Sequence, residues 1–320
     1  MRSYRRSRCP TPLPALLVGL ACAQPTPAPR TLPSPAIGFA AVQPSLDFRT
    51  IEVPGAKRTI AWGIDDAGQV VGSYDDSKGT HGFLLRNDRF TSMNFPGAVW
   101  TAAFGIGTHG EIVGAYKMPG EPAANFHGFL RLSDGRFERV DSPSYKNTIA
   151  QRILPDGTIL GCRHNDDFGG SMRGAVLGPH NKSETEAFGS MHNGATPDLR
   201  RIVGLYNYAP GDRSAGYVID DGKFKPLVVP GSSATSAWDV NSAGDVVGTY
   251  RDSVGVHGFM LTSDGFVSLN VPTAVMTRAL GINTIGAVVG SFDAGGRTHG
   301  FVATPIRSVG IGANLRHQIL

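Results

Sequence analysis

From about residue 46, short runs of apolar and β-branched residues alternate with clusters of Asp, Asn, Ser and Gly, and no useful length carries a 3.6-residue hydrophobic period. The first set of runs lies at residues 59–64, 69–74, 81–86 and 89–95. Breaks fall at 65–68 (Asp-Asp-Ala-Gly), at 75–79 and at Asn87-Asp88, and Pro96-Gly97 precedes the next set. Glycine adopts positive φ without steric penalty, and Asp and Asn side chains bond to nearby amides, so these clusters make turns. The pattern predicts an all-β chain of short strands.

The set recurs. An aliphatic pair closed by glycine, with an aromatic residue two positions on, stands as Val-Val-Gly-Ser-Tyr at 70–74 and Ile-Val-Gly-Ala-Tyr at 112–116. It returns as Ile-Leu-Gly-Cys-Arg at 159–163, Ile-Val-Gly-Leu-Tyr at 202–206, Val-Val-Gly-Thr-Tyr at 246–250 and Val-Val-Gly-Ser-Phe at 288–292. A second landmark, His-Gly-Phe, is centred on Gly82, Gly128, Gly258 and Gly300, with degenerate forms at Gly174 and Gly216. Those glycines are spaced by 46, 46, 42, 42 and 42 residues. Four strands per copy is the size of a propeller blade. Six copies over residues 46–305 predict a six-bladed β-propeller of four-stranded antiparallel blades.

The sixth copy lacks a match to its fourth strand. The missing piece stands at the start, where Phe-Arg-Thr-Ile-Glu-Val-Pro-Gly-Ala at 48–56 parallels Phe-Thr-Ser-Met-Asn-Phe-Pro-Gly-Ala at 90–98. The N-terminal strand is therefore expected to complete the last blade and remove an open sheet edge. Residues 306–320 remain an unassigned C-terminal tail. In the innermost strand of each copy, the residues thirteen before the landmark glycine are Thr59, Thr101, Thr148, Met191, Thr235 and Thr277. Two positions on are Ala61, Ala103, Ala150, Asn193, Ala237 and Ala279, with bulkier Ile60, Trp62, Phe104 and Trp238 between or after them. Small residues facing large ones suit interdigitation of neighbouring blades.

The order Gly-Ile-x-x-x-Gly-x-Val-Val-Gly-x-Tyr followed by His-Gly-Phe-Leu, at 63–84 and again at 281–302 with Phe292 for Tyr and Val302 for Leu, resembles the HAF repeat family of extracellular β-repeat proteins. The likeness covers about residues 46–305, although Gly stands where that family has the Ala of its His-Ala-Phe signature. It implies an extracellular β-repeat fold and supplies no catalytic residue.

Composition adds the compartment. The first 23 residues read as an export signal: Arg2, Arg5, Arg6 and Arg8, an apolar run at 13–20, then Ala21-Cys22-Ala23 as a cleavage site. Residues 24–45, rich in Pro, Ala, Thr and Ser, read as a linker. Secretion to the exterior or periplasm is the leading expectation, and a lipid anchor on Cys22 the lesser one. Of 30 basic residues the signal takes four and no acid, leaving 26 against 26 acidic residues, so no basic footprint for nucleic acid remains. The 42 glycines and 22 prolines fit a turn-rich chain, and 41% hydrophobic content excludes disorder by composition. Cys162 is then alone, with no intramolecular disulfide available to it.

The candidate chemistry is sparse. Repetition of His81, His127, His257 and His299 once per blade argues for a structural hydrogen bond to a neighbouring turn, since metal ligands must converge on one ion. The repeated Asp turns lack the dense oxygen ligands of a calcium loop. Tyr74, Tyr116, Tyr206 and Tyr250 read as inter-blade core, and Cys162 as a small buried filler. No cofactor or metal is expected, and no G-x-S-x-G, H-E-x-x-H, P-loop or CxxC motif is present. The informative asymmetry is the connection between the two landmarks, which spans 10 residues in copies one, five and six but 14, 13 and 12 in copies two, three and four. Loops 117–126, 163–172 and 207–215 are expected to form one raised sector, because variable loops on a rigid frame often carry function. His164, Asp166, Asp167, Arg173, Tyr208, Asp212 and Arg213 are its ligand-binding candidates, against the alternative of unconstrained surface drift. The expected function is an exported binding or interaction module with a glycan or cell-surface partner. The alternatives are a polysaccharide lyase or hydrolase working at the channel mouth, and a structural cell-envelope protein.

Overall fold

The computed structural model describes residues 46–122, 125–142, 145–165, 172–177, 189–206 and 214–306. The expected signal, the linker, Cys22 and the tail beyond Ile306 lie outside them. The described residues form 23 strands and no helix. No helix among them is long and apolar enough to cross a membrane.

After β1 (Leu46–Ile51), the strands fall into six groups. The first is β2 (Arg58–Ile64), β3 (Val70–Asp75), β4 (Thr80–Arg86) and β5 (Arg89–Met93), and the second is β6 (Trp100–Ile106), β7 (Ile112–Lys117), β8 (His127–Arg131) and β9 (Phe137–Arg139). The third has β10 (Asn147–Ile153), β11 (Ile159–His164) and β12 (Arg173–Leu177), and the position of its expected fourth strand lies at 178–188, outside the described residues. The fourth is β13 (Met191–Ala195), β14 (Arg201–Tyr206), β15 (Ala215–Asp220) and β16 (Lys223–Leu227). The fifth is β17 (Ala234–Val240), β18 (Val246–Arg251), β19 (Val256–Thr262) and β20 (Gly265–Leu269), and the sixth is β21 (Met276–Ile282), β22 (Val288–Ala294) and β23 (Arg297–Pro305).

Within every group successive strands pair antiparallel. The sixth group takes its fourth strand from the other end of the chain: β1 lies antiparallel on β23, in register from Leu46 opposite Pro305 to Ile51 opposite Gly300. Hydrogen bonding divides the strands into sheets of twelve, three, four and four. The twelve-stranded sheet is three groups joined through two single-residue parallel bridges, Arg58 to Thr298 and Thr80 to Trp100. The first strands contact one another in turn, β2 against β6, β10, β13, β17 and β21 in succession, and β21 lies against β2.

Each first strand contains a bulge at the same place, between Ala61 and Gly63 in β2 and at the equivalent points of β6, β10, β13, β17 and β21. The extra residues are Trp62, Phe104, Gln151, Asn193, Trp238 and Leu280. A bulge bends its strand and re-aims a side chain. Here it lets Trp62 of the first group meet Trp238 of the fifth, with ring centroids 5.9 Å apart, and Phe104 of the second at 5.2 Å.

The two landmarks pack on each other. The ring of Phe83 lies against Gly72, and a Cβ on that glycine would fall 2.5 Å from it, so no larger residue fits. Phe129, Phe259 and Phe301 repeat the contact in full burial, and Tyr217 makes it in the fourth group. In the third group, where Ala175 replaces the aromatic residue, Leu177 reaches over Gly161 instead.

One expected register is corrected. In the fourth group Met191 pairs with Leu205 and His192 with Gly204, so Ser190 and His192 take the places that counting back from the landmark glycine assigns to Met191 and Asn193. The turn from β13 to β14 takes one more residue than its counterparts and holds Leu199 at a φ of 58°.

Candidate functional site

A pocket of about 130 Å³ opens at the end of the first strands where they turn into the second. All six groups line it, through residues such as Asp65, Thr108, Pro155, Pro197, Asn241 and Thr284. Its rim is tied by hydrogen bonds from group to group. Asn241 Nδ2 donates to Asn283 O at 3.2 Å, Asn283 Nδ2 donates to Asp65 O at 3.0 Å, and the Thr284 amide donates to Asp66 Oδ1 at 2.9 Å.

Arg152 and Asp239 also line this pocket. They stand one residue past the bulge, at the position occupied by Gly63, Gly105, Gly194 and Gly281 in the other four groups. Glycine is required where first strands approach this closely: a Cβ on Gly63 would fall 2.7 Å from Phe104 O, and one on Gly281 2.7 Å from Trp62 O. The guanidinium of Arg152 gathers carbonyls from four strands. Nη1 donates to Phe104 O at 2.6 Å and Gln151 O at 3.0 Å, and Nη2 to Trp62 O at 3.0 Å and Leu280 O at 2.5 Å. Nε lies 3.1 Å from Asp239 Oδ2.

Asp239 is equally committed, accepting from the Val240 amide at 3.0 Å and the Ile282 amide at 3.1 Å. Burial pushes its carboxyl above the ordinary value, against the pull of Arg152 and these two amides. All four Nη protons of Arg152 already have carbonyl acceptors. The pair therefore acts as a clasp joining five of the six groups, and both of its charges are committed at the floor of the pocket. This pair was missed in the sequence. A comparison of the column one past the bulge would have found two opposite charges where the other copies have small residues.

Of the residues expected to bind a ligand, the two that are described fall elsewhere. His164 and Arg173 stand at the opposite ends of the strands from this pocket, on β11 and β12 respectively. His164, expected in a loop, is instead the last residue of β11 and is buried, while Arg173 is half-buried. Asp166, Asp167, Tyr208, Asp212 and Arg213 lie outside the described residues.

The recurrent histidines have structural partners. His81 contacts Asn94 Oδ1 through Nδ1 at 2.9 Å and Asp76 Oδ1, in the turn that precedes its strand, through Nε2 at 3.1 Å. His257 repeats this with Asn270 at 2.8 Å and Asp252 at 3.2 Å, and His127 with Asp141 and Glu121. Each stacks on the aromatic residue of the preceding strand, as His257 does on Tyr250 with centroids 5.0 Å apart. Asp76 is held below the usual carboxylate range, first by the Lys78 amide and then by His81 and the Gly79 amide. Tyr116 is fully buried, whereas Tyr74, Tyr206 and Tyr250 are half-buried. Cys162 is buried within the apolar cluster that holds Phe104 and Ile149, and that burial pushes its thiol well above the usual value. Among the described residues, no group of three or more His, Cys, Asp or Glu side chains is arranged to hold a metal ion.

His192 is different, because it stands where the other copies have alanine. Tyr217 Oη donates to Met191 O at 2.8 Å, so at 2.5 Å it accepts from His192 Nδ1, which therefore carries the proton. Burial lowers the imidazole pKa to about 4. A folded value below the unfolded one means that His192 contributes stability above about pH 6.5, which is lost as pH falls towards about 4. The loss is on the order of 3 kcal/mol. Urea melts at pH 7 and pH 4.5 check this: His192→Ala should start less stable and fall less between the two. An equal fall in both proteins would remove His192 as the source.

No family model matches the chain, and no curated protein matches it. Among solved structures, TolB from Acinetobacter baumannii superposes with a TM-score of 0.49 and 17% identity over 77% of this chain, which spans 54% of TolB. A streptogramin B lyase gives 0.47 and 11% over 80% of this chain and 97% of its own. The β-propeller domain of the Trilobed protease from Pyrococcus furiosus gives 0.46 and 12% over 81% of this chain and 99% of its own. Superpositions this loose carry no argument about what the chain does.

Proposed function

We propose that this chain is a six-bladed β-propeller closed by its own N-terminal strand, and that it is an exported, non-catalytic binding module for a glycan or cell-surface component. We place it with the HAF repeat proteins. Support for the closed ring comes from the cyclic contacts of the first strands and the antiparallel seating of β1 on β23. The meeting of Trp62 with Trp238 and the reach of Arg152 across four strands add to it.

The observation that carries the binding reading is the commitment of Arg152 and Asp239. A propeller enzyme working at the axial pocket needs an acid or base with an open coordination to substrate. The floor of this pocket instead spends both charges on backbone groups and on each other. What it offers a ligand is a small recess of mixed polar and apolar lining.

A glycan-array screen of residues 46–320, with the supernatant assayed for released oligosaccharide, tests the reading. Saturable binding without product is the expected result. Release of product would overturn it in favour of a lyase or hydrolase, and the lack of any bound glycan or cell-surface extract would favour a structural protein.

A further inference from the structure

A second pocket, of about 100 Å³, lies at the other end of the strands, between the fourth, fifth and sixth groups. It departs from the sixfold pattern in one specific column. The residue before each bulge by two, with its cross-strand partner, forms the pairs Ala102/Ala115, Ile149/Cys162 and Met191/Leu205 in groups two to four. All six residues belong to one apolar cluster. Group one is mixed, with Ile60/Ser73, and in groups five and six the same column becomes Ser236/Thr249 and Arg278/Ser291. Directly opposed residues of an antiparallel pair project to the same side of the sheet. Arg278 and Ser291 therefore lie side by side where groups two to four place apolar groups, and Arg278 is the one charge in the column.

The chemistry of this pocket is that of an anion site with an apolar wall. Leu205, Trp238 and Val256 line it beside Ser236, Thr249 and Arg278, and among the described residues no Asp or Glu does. Among the described residues the nearest acid to Arg278 is Asp293, whose Oδ2 lies 3.7 Å from Nη1, beyond hydrogen-bond distance, and that carboxylate already accepts from Thr298 at 2.9 Å. Nη2 faces only the sulfur of Met276, at 4.0 Å. Beside it, Ser291 Oγ is fully buried with no hydrogen-bond partner. Trp238 Nε1 donates to Thr249 Oγ1 at 3.1 Å, which fixes the indole face and leaves the threonine proton available for donation.

We propose that this pocket binds the carboxylate of an acidic sugar, with Arg278 as the anionic-group anchor, Thr249 as a second donor and Trp238 as the wall for the ring. An inorganic anion has no use for the indole and leucine, and a neutral sugar leaves the guanidinium with only Asp293 at 3.7 Å as counter-charge, beyond hydrogen-bond distance. The inference rests on the reading of the chain as a binding module, and supplies the ligand class that reading lacks.

The test titrates the whole chain with D-galacturonate, D-galactose and sulfate, following the Trp238 indole N–H resonance and heat. Expected are saturable galacturonate binding that shifts the indole signal, and affinity for galactose and for sulfate at least tenfold weaker. A charge-assisted hydrogen bond has the strength to make Arg278→Gln cost roughly 10- to 100-fold in affinity. Arg278→Lys should recover part of that loss, and a melting temperature close to that of the parent chain certifies that both variants are folded. Equal affinity for galacturonate and galactose, sulfate binding as tight as galacturonate, or an unaffected Arg278→Gln variant would each overturn the proposal. A neutral glycan found on the array and bound equally by Arg278→Gln would sink this site while leaving the binding module standing.

Discussion

Replacing Arg152 with methionine should lower stability by about 3–5 kcal/mol, the usual result of stripping one partner from a buried ion pair. Methionine keeps much of the volume, but it leaves Asp239 buried without its counter-charge and four carbonyls without their donor. In a domain of this size the melting temperature should fall by on the order of 10 °C. The double variant Arg152→Met, Asp239→Leu should regain part of the loss, because the uncompensated charge is then gone too. The sign of that coupling separates a clasp from a coincidental contact. A single variant within about 1 kcal/mol of the parent would mean that the pair does not hold the first strands together.

The second large effect is expected from removing β1. Deleting residues 46–51 strips the six-residue ladder from β23 and leaves a nine-residue strand as an open edge. It also removes the burial of Ile51 and the contact of Phe48 with Phe301, whose centroids are 5.7 Å apart. At roughly 1.5–3 kcal/mol for each large apolar side chain returned to water, the loss is on the order of 5 kcal/mol before the ladder is counted. The exposed edge should also self-associate, visible as higher oligomers in size-exclusion chromatography. A synthetic peptide of residues 46–56 added to the truncated chain should restore both stability and monomer, by adding the strand in trans. A truncated chain as stable and monomeric as the parent would show that β1 is ornamental.

Much of this was legible in the sequence, because the relevant signals are local. Runs of apolar residues and their turn clusters locate β2 to β5 within a residue or two, since Gly68, Asn87 and Asp88 adopt the positive φ those turns need. The displaced Phe-to-Ala segment at 48–56 announced the pairing of β1 with β23, because a copy missing at one end and present at the other leaves few alternatives. The histidine contacts to a neighbouring turn were legible from repetition alone.

What the sequence did not announce depends on register or on closure. The fourth copy was misaligned by one residue because its longer turn, with Leu199 at positive φ, carries no signal that distinguishes it from a shift in the strand. The six bulges were invisible for the same reason. The clasp was missed because Arg152 and Asp239 are 87 positions apart in the numbering, and only the return of β21 to β2 brings Leu280, Trp62 and Phe104 to the same guanidinium. The change of one column from apolar in copies two to four to Ser, Thr and Arg in the last two was present in the sequence all along. It acquires meaning when β13, β17 and β21 stand side by side.

The central claim is a ring closed by the N-terminal strand, and amide hydrogen exchange along Leu46–Ile51 tests it most directly. In a closed ring those amides open only with the sheet they complete, so β1 should exchange as slowly as β22 and β23. Exchange of β1 within seconds, with β22 and β23 still protected, would contradict the account and leave the last group as three strands with an open edge.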